Sequence, residues 1–206
     1  SRAGRSAAAA RADRPAAAPE GRGSLAPSVH PGLGDGTDGR AQIDAQAGSA
    51  LVIHGASHVI IEQLQLRGAW DAQLQSGNDG EGVSVLSDVS GTRACGLRLR
   101  ELEVSGFKRA GIALRAQPAD DAKSSGYADV EIRASEVHDN GDVGVLTDGP
   151  FGSDASGYSH ADVRVIGVRA HHNRGLRGSR NHTGSGIVLA DVDGARIEGC
   201  VAHDNG

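Results

Sequence analysis

From residue 41 onward, short apolar alternations recur at a nearly fixed interval. One strand type reads apolar-x-apolar in Leu51-Val52-Ile53, Val83-Ser84-Val85, Ile112-Ala113-Leu114, Val145-Leu146-Thr147 and Ile187-Val188-Leu189. The last four copies each follow a glycine: Gly82, Gly111, Gly144 and Gly186. A second type sets Val59 and Ile61, Leu97 and Leu99, Val130 and Ile132, Val163 and Val165, and Ala195 and Ile197 on one face. A third, shorter type carries Leu64 and Leu66, Leu102 and Val104, Ser135 and Val137, Val168 and Ala170, and Cys200 and Ala202. The residues between them are often charged, as at Arg98, Glu131, Arg164 and Glu198, which is the pattern of strands with one dry and one wet face.

The strand triplets are punctuated by His138-Asp139-Asn140-Gly141, His171-His172-Asn173 and His203-Asp204-Asn205-Gly206, at steps of 33 and 32 residues. A fixed period of this size, on three short strands, predicts an all-β parallel solenoid of about five coils. Equivalent strands bond to those above and below, and like residues pile into ladders. Burying one Val, Ile or Leu is worth roughly 1.5–3 kcal/mol, which offsets ordering entropy only when neighbouring coils cover the inward residues. Asn140, Asn173 and Asn205 fall at a turn, where their amides are expected to bond to backbone and to one another. Gly141 and Gly206 are expected to supply the positive φ of the corner. The last coil carries no polar cap, so further coils are expected after Gly206.

Three segments carry the closest likeness to a known family: Val137-His138-Asp139-Asn140-Gly141, Gly184-Ser185-Gly186-Ile187-Val188-Leu189, and Ile197-Glu198-Gly199-Cys200-Val201-Ala202-His203-Asp204-Asn205-Gly206. They resemble the right-handed parallel β-helix repeat family, the pectate-lyase-like superfamily of bacterial secreted proteins, over residues 41–206. The resemblance implies right-handed coiling, a secreted or cell-surface location, and a place among polysaccharide lyases and hydrolases. It is specific for fold rather than reaction. The polygalacturonase-type motifs (Asn-Thr-Asp, paired Asp, Gly-His-Gly, Arg-Ile-Lys) and the pectate-lyase Arg-x-Pro-x-x-Arg are absent.

Residues 1–40 are a different material. Nine of the first twenty are alanine, mixed with Arg and Pro, followed by Gly-, Pro- and Asp-rich sequence. They are expected to form a disordered leader or linker. Glycine makes up 31 of 206 residues, about twice the usual share. Aromatics are 2% and methionine is absent, so the core must be aliphatic. A net charge of −5 without a dense basic cluster argues against nucleic acid as a partner. No run of 18 apolar residues suggests a membrane-spanning helix. Cys95 and Cys200 lie about three coils apart and are expected to be free, with Cys200 facing inward.

Insertions mark the working face of a repeat protein. Segments 115–129 and 148–162 follow the same strand type, and 69–80 and 174–185 share another corner. Elimination from a uronic acid needs a cation to neutralise the carboxylate and a base for the C5 proton. Arg177, Arg180, His182, Tyr158 and His160 are therefore the candidate catalytic residues. Asp148, Asp154, Trp70 and Asn181 are the candidate substrate-binding residues. Glycoside hydrolysis would instead need paired carboxylates, with Asp139, Asp142, Asp148 and Asp154 placed for it. The column His138, His171, His203 should repeat every ~4.8 Å, too wide for neighbours to share one zinc, and so reads as a surface ladder. No motif demands a metal or cofactor; calcium is compatible with Asp148, Asp191 and Asp193, because hard oxygen ligands suit it.

The expected function is binding an acidic polysaccharide, or cleaving it by β-elimination, with a lyase favoured over a hydrolase. The partner would be polysaccharide, and a monomer is expected of the full-length protein. The rival is a non-catalytic structural or adhesion module, which the scarcity of aromatic sugar platforms favours.

Overall fold

The computed structural model describes residues 39–118, 125–150, 157–179 and 183–206. Strand β1 (Ala41–Ala45) precedes a series of three-stranded rungs. They are β2 (Leu51–His54), β3 (Ile60–Glu62) and β4 (Leu64–Gly68); β5 (Val83–Ser87), β6 (Arg93–Arg100) and β7 (Glu103–Ser105); β8 (Ile112–Ala116), β9 (Gly126–Arg133) and β10 (Glu136–His138); β11 (Val143–Asp148), β12 (His160–Ile166) and β13 (Arg169–His171); and β14 (Ser185–Leu189), β15 (Val192–Glu198) and β16 (Val201–His203). Every third strand joins one of three parallel sheets. Sheet A runs β1-β4-β7-β10-β13-β16, sheet B β14-β11-β8-β5-β2, and sheet C β15-β12-β9-β6-β3. No helix occurs among the described residues.

The register follows the apolar pattern residue by residue. In sheet B, Leu51 pairs with Val83, Val83 with Ile112, Ile112 with Val145 and Val145 with Ile187. In sheet C, Leu97, Val130, Val163 and Ala195 align. In sheet A, Leu66, Val104, Val137, Ala170 and Ala202 align. These rows make one aliphatic core with Phe107 and Tyr127 filling it. Outward charges pair between rungs: Asp129 bonds to both Arg98 and Arg164, and Arg100 bonds to Glu131. Both cysteines are free, and Cys200 packs against the core as the alternation requires.

A buried amide column sets the turn between sheets A and B. The Asn173 side-chain oxygen accepts from the Asn140 backbone N–H and from its side-chain amide, both at 3.1 Å. Asn205 does the same for Asn173 at 3.1 and 2.9 Å. Each amide also donates to a carbonyl of sheet A: Asn140 to Val104, Asn173 to Val137, Asn205 to Ala170. Asn140 and Asn173 are fully buried. Phe107 begins the column, its N–H donating to the Asn140 oxygen.

The glycines ahead of sheet B belong to the same device. A Cβ on Gly111 would lie 2.2 Å from a Val137 methyl and 2.8 Å from the Asn140 amide nitrogen; on Gly144 it would meet the Gly186 oxygen at 2.5 Å. Only glycine leaves room for amide and aliphatic column together.

The corner's positive φ is not where the Asn-Gly pairs suggest. It falls on the residue before each asparagine: Asp139, His172 and Asp204, with φ of 51°, 55° and 52°. Aspartate's short polar side chain tolerates this region. Gly141 is needed for space, since its Cβ would sit 2.3 Å from the Lys108 oxygen.

Removing one rung of the amide column strands buried partners on both sides. Asn173→Ala should lower unfolding free energy by about 2–4 kcal/mol, from several orphaned hydrogen bonds at about 1–3 kcal/mol each. Urea denaturation monitored by far-UV circular dichroism reads the change; a loss within experimental error would show that the column contributes no stability.

Candidate functional site

The corner between sheets A and B carries the most open chemistry. The β7–β8 and β10–β11 connections turn tightly, whereas β4–β5 and β13–β14 carry insertions. In the first insertion the Asp71 carboxylate accepts from the Gln73 and Leu74 N–H groups at 2.7 and 2.9 Å, and residues 71 and 76 pair across the bend. That compact turn reaches the second insertion, where the Arg177 N–H donates to the Gln75 side-chain oxygen at 3.1 Å. Loops 102 residues apart are thus joined along one flank.

Between them lies a cavity of about 1010 Å³, lined by Trp70, Gln73, Gln75, Arg174 and Arg177 and by the carboxylates of Asp71, Asp139 and Asp204. Neither Arg174 nor Arg177 is ion-paired to any described residue. Trp70 is only 9% exposed, with the Lys108 ammonium 5.8 Å from its ring centre.

A second cavity, of about 630 Å³, lies over the outer face of sheet B. Its floor is aliphatic, with Val143, Leu146 and Val188, and its rim holds Lys108, Arg109, Arg115, Asp79, Asp142 and Asp148. Arg115 bonds to Glu81 and reaches Asp148 at 3.3 Å. Burial raises the Asp142 carboxyl above the usual carboxylate range, and nearby Arg115 and Arg109 only partly counter it.

The residues singled out from sequence therefore separate. Trp70 and Arg177 share one cavity, and Asp148 borders the next. Tyr158 stands at the other corner, ahead of β12; its ring is 54% exposed and its carbonyl is held by Arg93. His160 is fully buried. Its Nδ1 accepts from the Tyr127 N–H at 3.2 Å, and its Nε2 donates to the Asp148 carbonyl at 3.0 Å. Burial, the dominant effect, lowers its pKa and favours the neutral ring. With both nitrogens engaged inside the wall, the ring has none to offer a ligand in solvent. Arg180, Asn181, His182 and Asp154 lie outside the described residues.

Lys108, Arg109 and Arg115 stand out only in the folded chain. Their signal is the rung alignment itself: Lys108 and Arg109 follow Phe107 as Gly141 and Asp142 follow Asn140, which puts them in the lining of the sheet B cavity. Among the described residues no group of three or more His, Cys, Asp or Glu side chains is placed to hold a metal ion, the loop aspartates Asp148, Asp191 and Asp193 included.

Compared with protein-family models, curated proteins and solved structures, the chain matches none of them. Its chemistry is read from its own geometry.

The buried neutral His160 makes stability depend on pH. Its folded pKa lies below the ordinary 6.5, so the unfolded chain takes up the proton first and stability falls as pH drops below that value. Thermal melts from pH 7.5 to 5 should show this slope, and His160→Gln should flatten it relative to the parent. Equal slopes in the two proteins would mean that the ring is not held neutral.

Proposed function

We propose that the A–B corner binds an extended acidic polysaccharide and that the protein works outside the cell. The observation that carries this reading is the pair Arg174 and Arg177, without ion-pair partners among the described residues, on the wall of a cavity of about 1010 Å³. Guanidinium groups recognise carboxylates through paired hydrogen bonds. Gln73 adds an amide group suited to sugar hydroxyls, whereas the Gln75 amide is bonded to the Arg177 N–H and the Ala72 carbonyl. Lys108 and Arg109 add further cationic groups in the sheet B cavity. A polymer lying along the corner would meet cationic groups from successive rungs. Should the protein also cleave by elimination, Arg177 or Arg180 would neutralise the uronate carboxylate and His182 would exchange the C5 proton, Arg180 and His182 lying outside the described residues.

The second reading is a non-catalytic adhesion or spacer module. It is favoured by Trp70, whose ring is covered rather than presented as a stacking platform.

Calorimetry with polygalacturonate tests the first reading. Binding should weaken as salt rises, and Arg174→Ala with Arg177→Ala should reduce affinity by at least about tenfold, each charged hydrogen bond being worth roughly 1.5–3 kcal/mol. No heat from polygalacturonate, or equal binding of a neutral glucan, would favour the spacer. Ultraviolet absorbance from an unsaturated product would add the lyase activity.

A further inference from the structure

The histidine column is stacked as its period requires. The His138 and His171 rings lie 5.0 Å apart with an 8° interplanar angle, and His171 and His203 lie 4.9 Å apart at 9°. Nearly parallel rings aim their nitrogens along parallel lines and not at a common point, so neighbours in this stack do not converge on one ion. A different pair does. His172 stands where the flanking rungs carry Asp139 and Asp204, and its ring meets that of His171 edge-on, at 84°. The two Nδ1 atoms are 2.8 Å apart.

Two ring nitrogens so close share either a proton or a metal ion. The surrounding carboxylates suit the metal. The His171 Nε2 lies 2.9 Å from a Glu136 carboxylate oxygen, so Nε2 carries the hydrogen and Nδ1 presents its lone pair. The His172 Nε2 lies 4.0 Å from Asp204. The Glu136 carboxylate behind His171 is the arrangement that fixes a tautomer in metal sites. Without metal, the His172 Nδ1–H donates to the His171 Nδ1. When an ion takes both Nδ1 atoms, that proton moves to the His172 Nε2, facing Asp204, and no net charge leaves the protein.

The separation also matches one coordination geometry. With metal–nitrogen bonds of about 2.0 Å, adjacent ligands of a square-planar ion lie about 2.8 Å apart, and those of a tetrahedral ion about 3.3 Å. We propose that His171 and His172 form a two-nitrogen site for a square-planar divalent ion, copper(II) above nickel(II), with water completing the coordination. Asp204, the carboxylate nearest His172, also lines the larger cavity. The inference is independent of any polysaccharide.

Copper(II) added to the purified full chain tests it, by isothermal titration and electron paramagnetic resonance. One equivalent should bind, with hyperfine structure from two nitrogens, and zinc(II) should bind at least tenfold more weakly. His172→Asn should weaken copper binding at least tenfold without changing the melt, since asparagine tolerates the φ of 55° at this position. His54→Asn, at an exposed histidine paired with Asp88 elsewhere on the chain, should leave affinity unchanged. Copper affinity within twofold of the parent in His172→Asn would overturn the proposal. So would a wild-type spectrum without coupling to two nitrogens, a readout that stands even if a variant fails to fold.

Discussion

A side-chain amide buried in an aliphatic interior must be hydrogen-bonded or the fold loses several kcal/mol. In this protein Asn140 and Asn173 find their partners in the next rung and in sheet A. That requirement ties the rungs together more strictly than aliphatic packing does. Valine on isoleucine tolerates small shifts, whereas a displacement of one residue would orphan every amide and turn every inward side chain to the outside. The glycines ahead of sheet B follow from the same constraint, because the amide nitrogens occupy the space a methyl group would need.

This is also why the fold is legible in the sequence. Strand identity, register and sheet membership were carried by the alternation in segments such as Leu97-Arg98-Leu99 and Val163-Arg164-Val165, where each rung repeats the information of the last. The amide column showed itself through the period of Asn140, Asn173 and Asn205. The corner geometry was harder to read. Asn-Gly is a strong turn signal in hairpins, but here the left-handed residue precedes the asparagine, and glycine answers a steric need instead. The strand β1 before the first full rung was hidden because Ala41–Ala45 has neither glycine nor asparagine to mark it.

The site was legible only where it inherited the repeat. Trp70 and Arg177 come together because both follow sheet A strands and so share a corner. His160 has a misleading setting: at the end of an insertion and two residues after exposed Tyr158, it reads as a loop residue. In fact it starts β12 and faces inward, where it ties two corner segments to one another. A single histidine carries no periodic information, and whether it faces water depends on which residue opens the strand. The cations Lys108 and Arg109 had the opposite fate, being unremarkable along the chain and central once the rungs were stacked.

The division between walls and corners has an evolutionary reading. Since the amides pin alignment at each level, a connection can grow from the four residues between β10 and β11 to the thirteen between β13 and β14 without disturbing the strands on either side. Loop length is thereby released from folding constraint, and new recognition surfaces can be tried at one level while those above and below keep theirs.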